Sequence, residues 1–246
     1  MLIQPTLDKL HEMRLIGMAE ALQVQLEQPD YAGLSFEERF GLLVDQEWTY
    51  RQNRSLARRL KEAKLRLSAS VEEIDYRQSR GLDRSVLLSL ANCDWVRSHQ
   101  VVLITGPTGS GKTFIGCALA QAACRQGFSA RYYRVSRLLQ ELALARGDGS
   151  YPRFLQRLAK VDVLFLDDWG LAPLSPAESR ELLEVIDDRT QTRATVIASQ
   201  LPVAEWHGMI GDPTVADAIL DRLVHRAHKV TLKGESMRKV ASAESR

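Results

Sequence analysis

Val101-Val102-Leu103-Ile104-Thr105 followed by Gly106-Pro107-Thr108-Gly109-Ser110-Gly111-Lys112-Thr113 is the stretch that decides the fold of this chain. A short apolar strand runs into a G-x-x-x-x-G-K-[ST] pattern, and a helix opens behind it. Glycines in such a loop let backbone N–H groups turn toward a phosphate, while the following helix presents its positive N-terminal end to the same charge. Lys112 adds a point charge at the β and γ oxygens of a triphosphate, and the Thr113 hydroxyl can hold Mg²⁺. Gly106, Pro107, Thr108, Gly109, Ser110, Gly111, Lys112, Thr113 and Phe114 are therefore the predicted ATP-binding segment. A Gly-rich turn that matched by chance would not need the strand before it and the helix after it, and both are present.

Outward from this loop the chain alternates. Residues 101–105, 130–135, 161–166, 194–199 and 228–232 are short β-rich runs separated by helical segments, which predicts an α/β domain with a five-stranded parallel sheet covered on both faces. The third run ends in Leu166-Asp167-Asp168, two carboxylates on a buried strand, which resembles the Walker B element. In that reading Asp167 joins the Mg²⁺ shell and Asp168 faces the γ-phosphate, where it polarises the attacking water. Asp168 equally suits a cap on the turn at Gly170. The fourth run ends in Ser199-Gln200, and Gln200 is placed either beside the γ-phosphate or at the start of the loop before Pro202.

Upstream, the pattern is helical. Leu7, Leu10, Leu15, Met18, Leu22 and Leu26 follow the helical period, with Thr6 as expected N-cap and an end before Pro29. Ser35-Phe36-Glu37-Glu38 is a capping box that opens a second helix, expected to run to about Leu67. Its second half carries Arg51, Arg54, Arg58, Arg59, Lys61, Lys64 and Arg66, with Glu62 as the only acid between them. Arg51, Arg54, Arg58 and Lys61 share one face at helical spacing, so double-stranded DNA is the expected partner, with Arg59 and Lys64 beside them. Backbone contacts of this kind carry no sequence code. Residues 1–70 are thus expected to form a helical DNA-binding and oligomerisation domain, 71–98 a connector with one short helix, and 99–246 the ATPase domain.

Composition narrows the class further. Net charge is only +2, so the DNA argument rests on where the charges lie. No apolar run approaches the length of a membrane span and the first residues lack a signal peptide, so a cytoplasmic location without membrane association is expected. Cys93, Cys117 and Cys124 lack a disulfide or zinc spacing and read as buried apolar groups. Asp221, His225 and His228 have helix-face spacing, but nothing joins them in a recognised metal pattern. Tyr132-Tyr133 reads as strand packing rather than a base-stacking pair, and Trp95 as core.

Taken together, Gly106 to Thr113, Leu166-Asp167-Asp168-Trp169-Gly170, Ala198-Ser199-Gln200, Glu205-Trp206, Ala218-Ile219-Leu220-Asp221-Arg222-Leu223 and Leu232-Lys233-Gly234-Glu235-Ser236-Met237-Arg238 resemble the IstB-like transposition helper ATPases of insertion sequences. The resemblance spans nearly the whole chain. It implies an AAA+ core without a C-terminal helical lid, with Mg·ATP driving self-association on duplex DNA and a cognate transposase as partner. It also implies that a neighbouring subunit completes the ATP site with an arginine, for which Arg222 is the candidate and Arg226 the runner-up, while Arg238 matches a sensor-2-like contact and Gln200 the sensor-1 position. Asp168 and Gln200 depart from the Glu and Asn of many relatives, which bears on turnover. The DnaC-like helicase loaders share the core and supply the alternative function. A small-molecule kinase would need a lid and an acceptor pocket, and a pure binding module would use ATP as a structural ligand.

Overall fold

In the computed structural model, which describes residues 3–76, 80–234 and 237, the chain divides into two compact units between Arg58 and Arg59. The division falls inside a helix, ahead of the polar connector where the sequence placed it.

The first unit holds α1 (Ile3–Glu12), α2 (Ile16–Glu27), a 3₁₀ turn at Pro29–Gly33 and most of α3 (Phe36–Ala63). The single helix expected before Pro29 is two helices. The step from Leu10 to Leu15 is five residues, off the helical face, and the chain breaks there with Arg14 at φ 58°. Thr6 lies within α1 and does not cap it. The capping box at the start of α3 forms as read: Ser35 N donates to Glu38 Oε2 at 2.8 Å and Glu38 N to Ser35 Oγ at 3.2 Å. Buried Glu47 of α3 accepts from Met18 N at 3.1 Å and pairs with Arg51 at 2.6 Å, which ties α2 to α3.

The second unit begins with the last turns of α3. Ala63 is fully buried, Arg59 Nε donates to the Cys124 carbonyl at 2.9 Å, and Arg131 donates to the Glu62 carbonyl at 2.9 Å. The helix ends at Ala63, short of Leu67, because Lys64 turns left-handed at φ 49°. After α4 (Arg84–Ala91), capped by Asp83, and α5 (Asp94–Arg97), the chain alternates: β1 (Val101–Thr105), α6 (Lys112–Arg125), β2 (Ala130–Arg134), α7 (Val135–Gly147), α8 (Tyr151–Lys160), β3 (Val163–Trp169), α9 (Pro176–Arg189), β4 (Ala194–Ser199), α10 (Pro213–Val224) and β5 (His228–Thr231).

The sheet is wholly parallel in the order β2-β3-β4-β1-β5. Strand alternation sends Leu103, Leu164, Leu166 and Ile197 into one core with apolar residues of α7 to α10, and their neighbours toward α6, where Gly116 lies against the Phe165 ring. Trp95, Tyr133 and the three cysteines are buried, as read. Arg189, almost fully buried, holds the entry to the sheet by donating to the carbonyls of Leu158, Val161 and Ala194. Among the described residues no helix is long and apolar enough to cross a membrane.

Candidate functional site

In a parallel sheet the carboxyl ends of the strands open one common edge, and the crevice there is where ligands bind. The Gly106–Gly111 loop leaves β1 at that edge. Gly106 is required by space as well as by conformation, since it sits at φ 148° and a Cβ would stand 2.6 Å from the Leu232 carbonyl, while Gly111 is favoured by its left-handed backbone at φ 97°. Lys112 opens α6 and folds back, its Nζ donating to the Gly106 and Pro107 carbonyls at 2.7 and 2.8 Å. Burial lowers its pKa, and the carboxylates of Asp167 and Asp168 act against that shift.

Placing β4 between β1 and β3 brings the ends of all three strands around this loop. Asp167, 1% exposed, accepts from the Thr113 hydroxyl at 2.9 Å and the Tyr132 hydroxyl at 3.0 Å on Oδ2, and from Asp168 N at 3.0 Å on Oδ1. Burial and the adjacent Asp167 push the Tyr132 pKa up to about 12, in keeping with a phenol that donates a hydrogen bond to that carboxylate. Asp168 lies in an irregularity of the β3–β4 register between Leu166 and Trp169, at φ 59°. Such bulges re-aim side chains beside active sites, and Asp tolerates the left-handed conformation. Its carboxylate lies 3.9 Å from Arg66 and 3.8 Å from Arg134, and among the described residues it accepts no bond from the backbone of the following turn. Gln200, directly after β4, accepts from the Thr108 hydroxyl at 2.8 Å, while Ser199 Oγ donates to the Trp169 carbonyl and accepts from Leu201 N.

A cavity of about 330 Å³ opens beside Gly109–Thr113, walled by Leu67, Glu73, Asp75, Arg80, Phe114 and Met237. Buried Arg80 donates to the Ser110 carbonyl at 2.9 Å and the Asp75 carbonyl at 2.8 Å, so it braces the loop from below. Sequence reading missed Arg80, Arg66 and Tyr132 at this site. For Tyr132 the signal was present, since alternation sets it opposite buried Tyr133; for the two arginines no local pattern existed.

The site fits the groups its motifs imply. Thr113 and Asp167 are hard oxygen donors in hydrogen-bonding contact, the chemistry Mg²⁺ selects, and the glycine-walled loop with Lys112 behind it suits a triphosphate. Those residues would hold Mg·ATP there.

Other residues singled out in the sequence lie elsewhere. Arg222 pairs with Asp187 at 2.6 Å and donates to the Ala218 carbonyl. With Arg226 it lines a separate cavity of about 590 Å³ that reaches Val101 and Thr195, at the amino ends of β1 and β4, opposite the loop. Neither arginine approaches the nucleotide site of its own chain. Arg238 lies outside the described residues. In the first unit Arg51 is engaged by Glu47, while Arg54 and Arg58 are exposed. In the second, Lys61 and Lys64 are exposed and Arg59 is held by the Cys124 carbonyl.

A parallel sheet in the order β2-β3-β4-β1-β5, a phosphate loop after β1 and an acid pair at the end of β3 define a P-loop nucleotide-binding protein of the AAA+ type. The chain belongs to the family of IstB-like ATP binding proteins, which matches residues 8–245. It is 51% identical to an insertion sequence ATP-binding protein of Sinorhizobium fredii, over 97% of this chain and 98% of that protein. It is 53% identical to one of Pseudomonas fluorescens, over 82% and 88%. Among solved structures, that of the DnaC helicase loader shares the fold with a TM-score of 0.58 at 18% identity, covering 67% of this chain and 97% of the other. The replication initiator DnaA bound to AMPPCP and single-stranded DNA does so with 0.59 at 17%, covering 74% and 55%.

Proposed function

We propose that this protein is a DNA-binding ATPase that assembles on duplex DNA with Mg·ATP and assists the transposase of an insertion sequence. The observation that carries the ATPase reading is the convergence of Thr113, Asp167, Asp168 and Gln200 on the loop that holds Lys112. The relatives' association with insertion sequences supports the transposase as partner. Bound Mg²⁺ supplies charge neutralisation at the phosphates. Thr113 and Asp167 would hold it, Lys112 would bind the β and γ oxygens, Asp168 would take the proton from the attacking water, and Gln200 would orient that water.

The exposed arginines of α3 are the proposed DNA contacts. Arg54 and Arg58 are one helical turn apart and neither has an acidic partner among the described residues. Changing both to Ala should weaken duplex binding equally for unrelated sequences and lower the salt dependence of binding by a slope of roughly one per lost phosphate contact. Fluorescence anisotropy across a salt series reads both quantities. Parental affinity and slope in the double variant would remove this face from the DNA interface. A parental preference for single strands over duplex would favour a helicase-loader role.

Arg222 is proposed to act on the ATP of a neighbouring copy, since it lies across the sheet from its own loop. Arg222→Ala subunits mixed with Lys112→Ala subunits should regain ATP hydrolysis, because some interfaces then pair an intact loop with an intact arginine. No recovery in a verified mixed assembly would mean that Arg222 works within its own subunit or not at all.

A further inference from the structure

Arg66 is the residue of the basic stretch whose side chain reaches the acid pair at the end of β3. It follows the left-handed Lys64 by two residues, and its neighbour Leu67 lines the cavity beside the phosphate loop. The side chain, 35% exposed, sets its Nη1 3.9 Å from Asp167 Oδ2 and 3.9 Å from Asp168 Oδ2. Among the described residues no other cation pairs with both carboxylates. Arg134 reaches Asp168 alone, and Lys112 is occupied by the loop carbonyls.

Two adjacent carboxylates in a half-buried site repel each other unless a positive charge lies between them. Beside Lys112 and Arg134, part of that charge comes from a segment outside the α/β core, and its two contacts are long enough to be exchanged for a better ligand. The Asp167 oxygen that Arg66 faces also accepts from Thr113, so it is the oxygen a divalent cation would claim. We propose that Arg66 is a positioning residue, an internal counter-ion that balances Asp167 and Asp168 while the site lacks a metal and competes with the divalent cation for them. Its charge raises the metal concentration at which the site fills and ties filling to the presence of nucleotide, whose phosphates supply the missing ligands.

The inference rests on the ATP-site reading and is tested without hydrolysis. The full-length protein with saturating ADP is titrated with Mn²⁺, and free Mn²⁺ is read by electron paramagnetic resonance. Arg66→Gln should lower the half-saturating Mn²⁺ concentration by about fivefold, the size of effect a partly exposed ion pair gives. Arg66→Lys, which keeps the charge, should stay close to the parent, and Asp167→Asn should lose the site. An unchanged or raised half-saturating concentration in Arg66→Gln, with parental melting behaviour, overturns the counter-ion role. A parent that binds no Mn²⁺ with ADP overturns the ATP-site reading, and the Arg66 inference with it.

Discussion

Lys112→Ala is expected to lower ATP affinity by about 10–100-fold, the worth of one or two charge-assisted hydrogen bonds to phosphate. Among the described residues no nearby cation is free to replace it. Arg80 is the other described cation at the loop, but its guanidinium is committed to the Ser110 and Asp75 carbonyls. Arg66 and Arg134 face the acid pair. The fold should survive the change, because Lys112 bonds only the carbonyls of its own loop, which the substitution leaves open to water. Calorimetry on the purified variant checks the expectation. Parental ATP affinity would falsify the assignment of this loop as the nucleotide cradle.

Asp168→Asn should leave ATP affinity near the parental value and reduce hydrolysis by about 10²–10⁴-fold, the contribution of a positioned general base. The amide keeps the shape of the side chain and, like Asp, accepts the left-handed backbone that the bulge imposes at φ 59°. Thr113 and Asp167, the pair proposed to hold the metal, are untouched, so the variant should accumulate with ATP and DNA bound. What is lost is the negative charge proposed to polarise the attacking water. Single-turnover hydrolysis measured beside nucleotide binding separates the two effects. If the variant turns over at the parental rate, Asp168 serves only the bulge, and the catalytic base must be sought elsewhere at the sheet edge.

The acid pair illustrates how far local sequence reaches. An apolar run ending in Asp167-Asp168 announces two carboxylates at a strand end, because burial and strand length are local properties. It does not tell which way the second carboxylate points. That depends on the irregular register between β3 and β4, set by pairing with a strand some thirty residues away. Gln200 is similar: the residues around it permit a site role or a loop start, and the insertion of β4 between β1 and β3 sets it against Thr108.

The sequence by itself determined the phosphate loop, the five strands, the capping box before α3 and the basic stretch that follows. Each rests on short-range physics: glycine at positive φ, hydrophobic period, and a side chain reaching a backbone amide three residues on. Tertiary structure decided the division of the chain within α3, the separation of Arg222 from its own ATP loop, and the recruitment of Arg66, Arg80 and Tyr132 to the site. Those outcomes join residues far apart in the chain. They follow from strand order and from how segments cross, which no local pattern encodes, because a guanidinium or phenol finds its partner only after the sheet edge has been assembled around it.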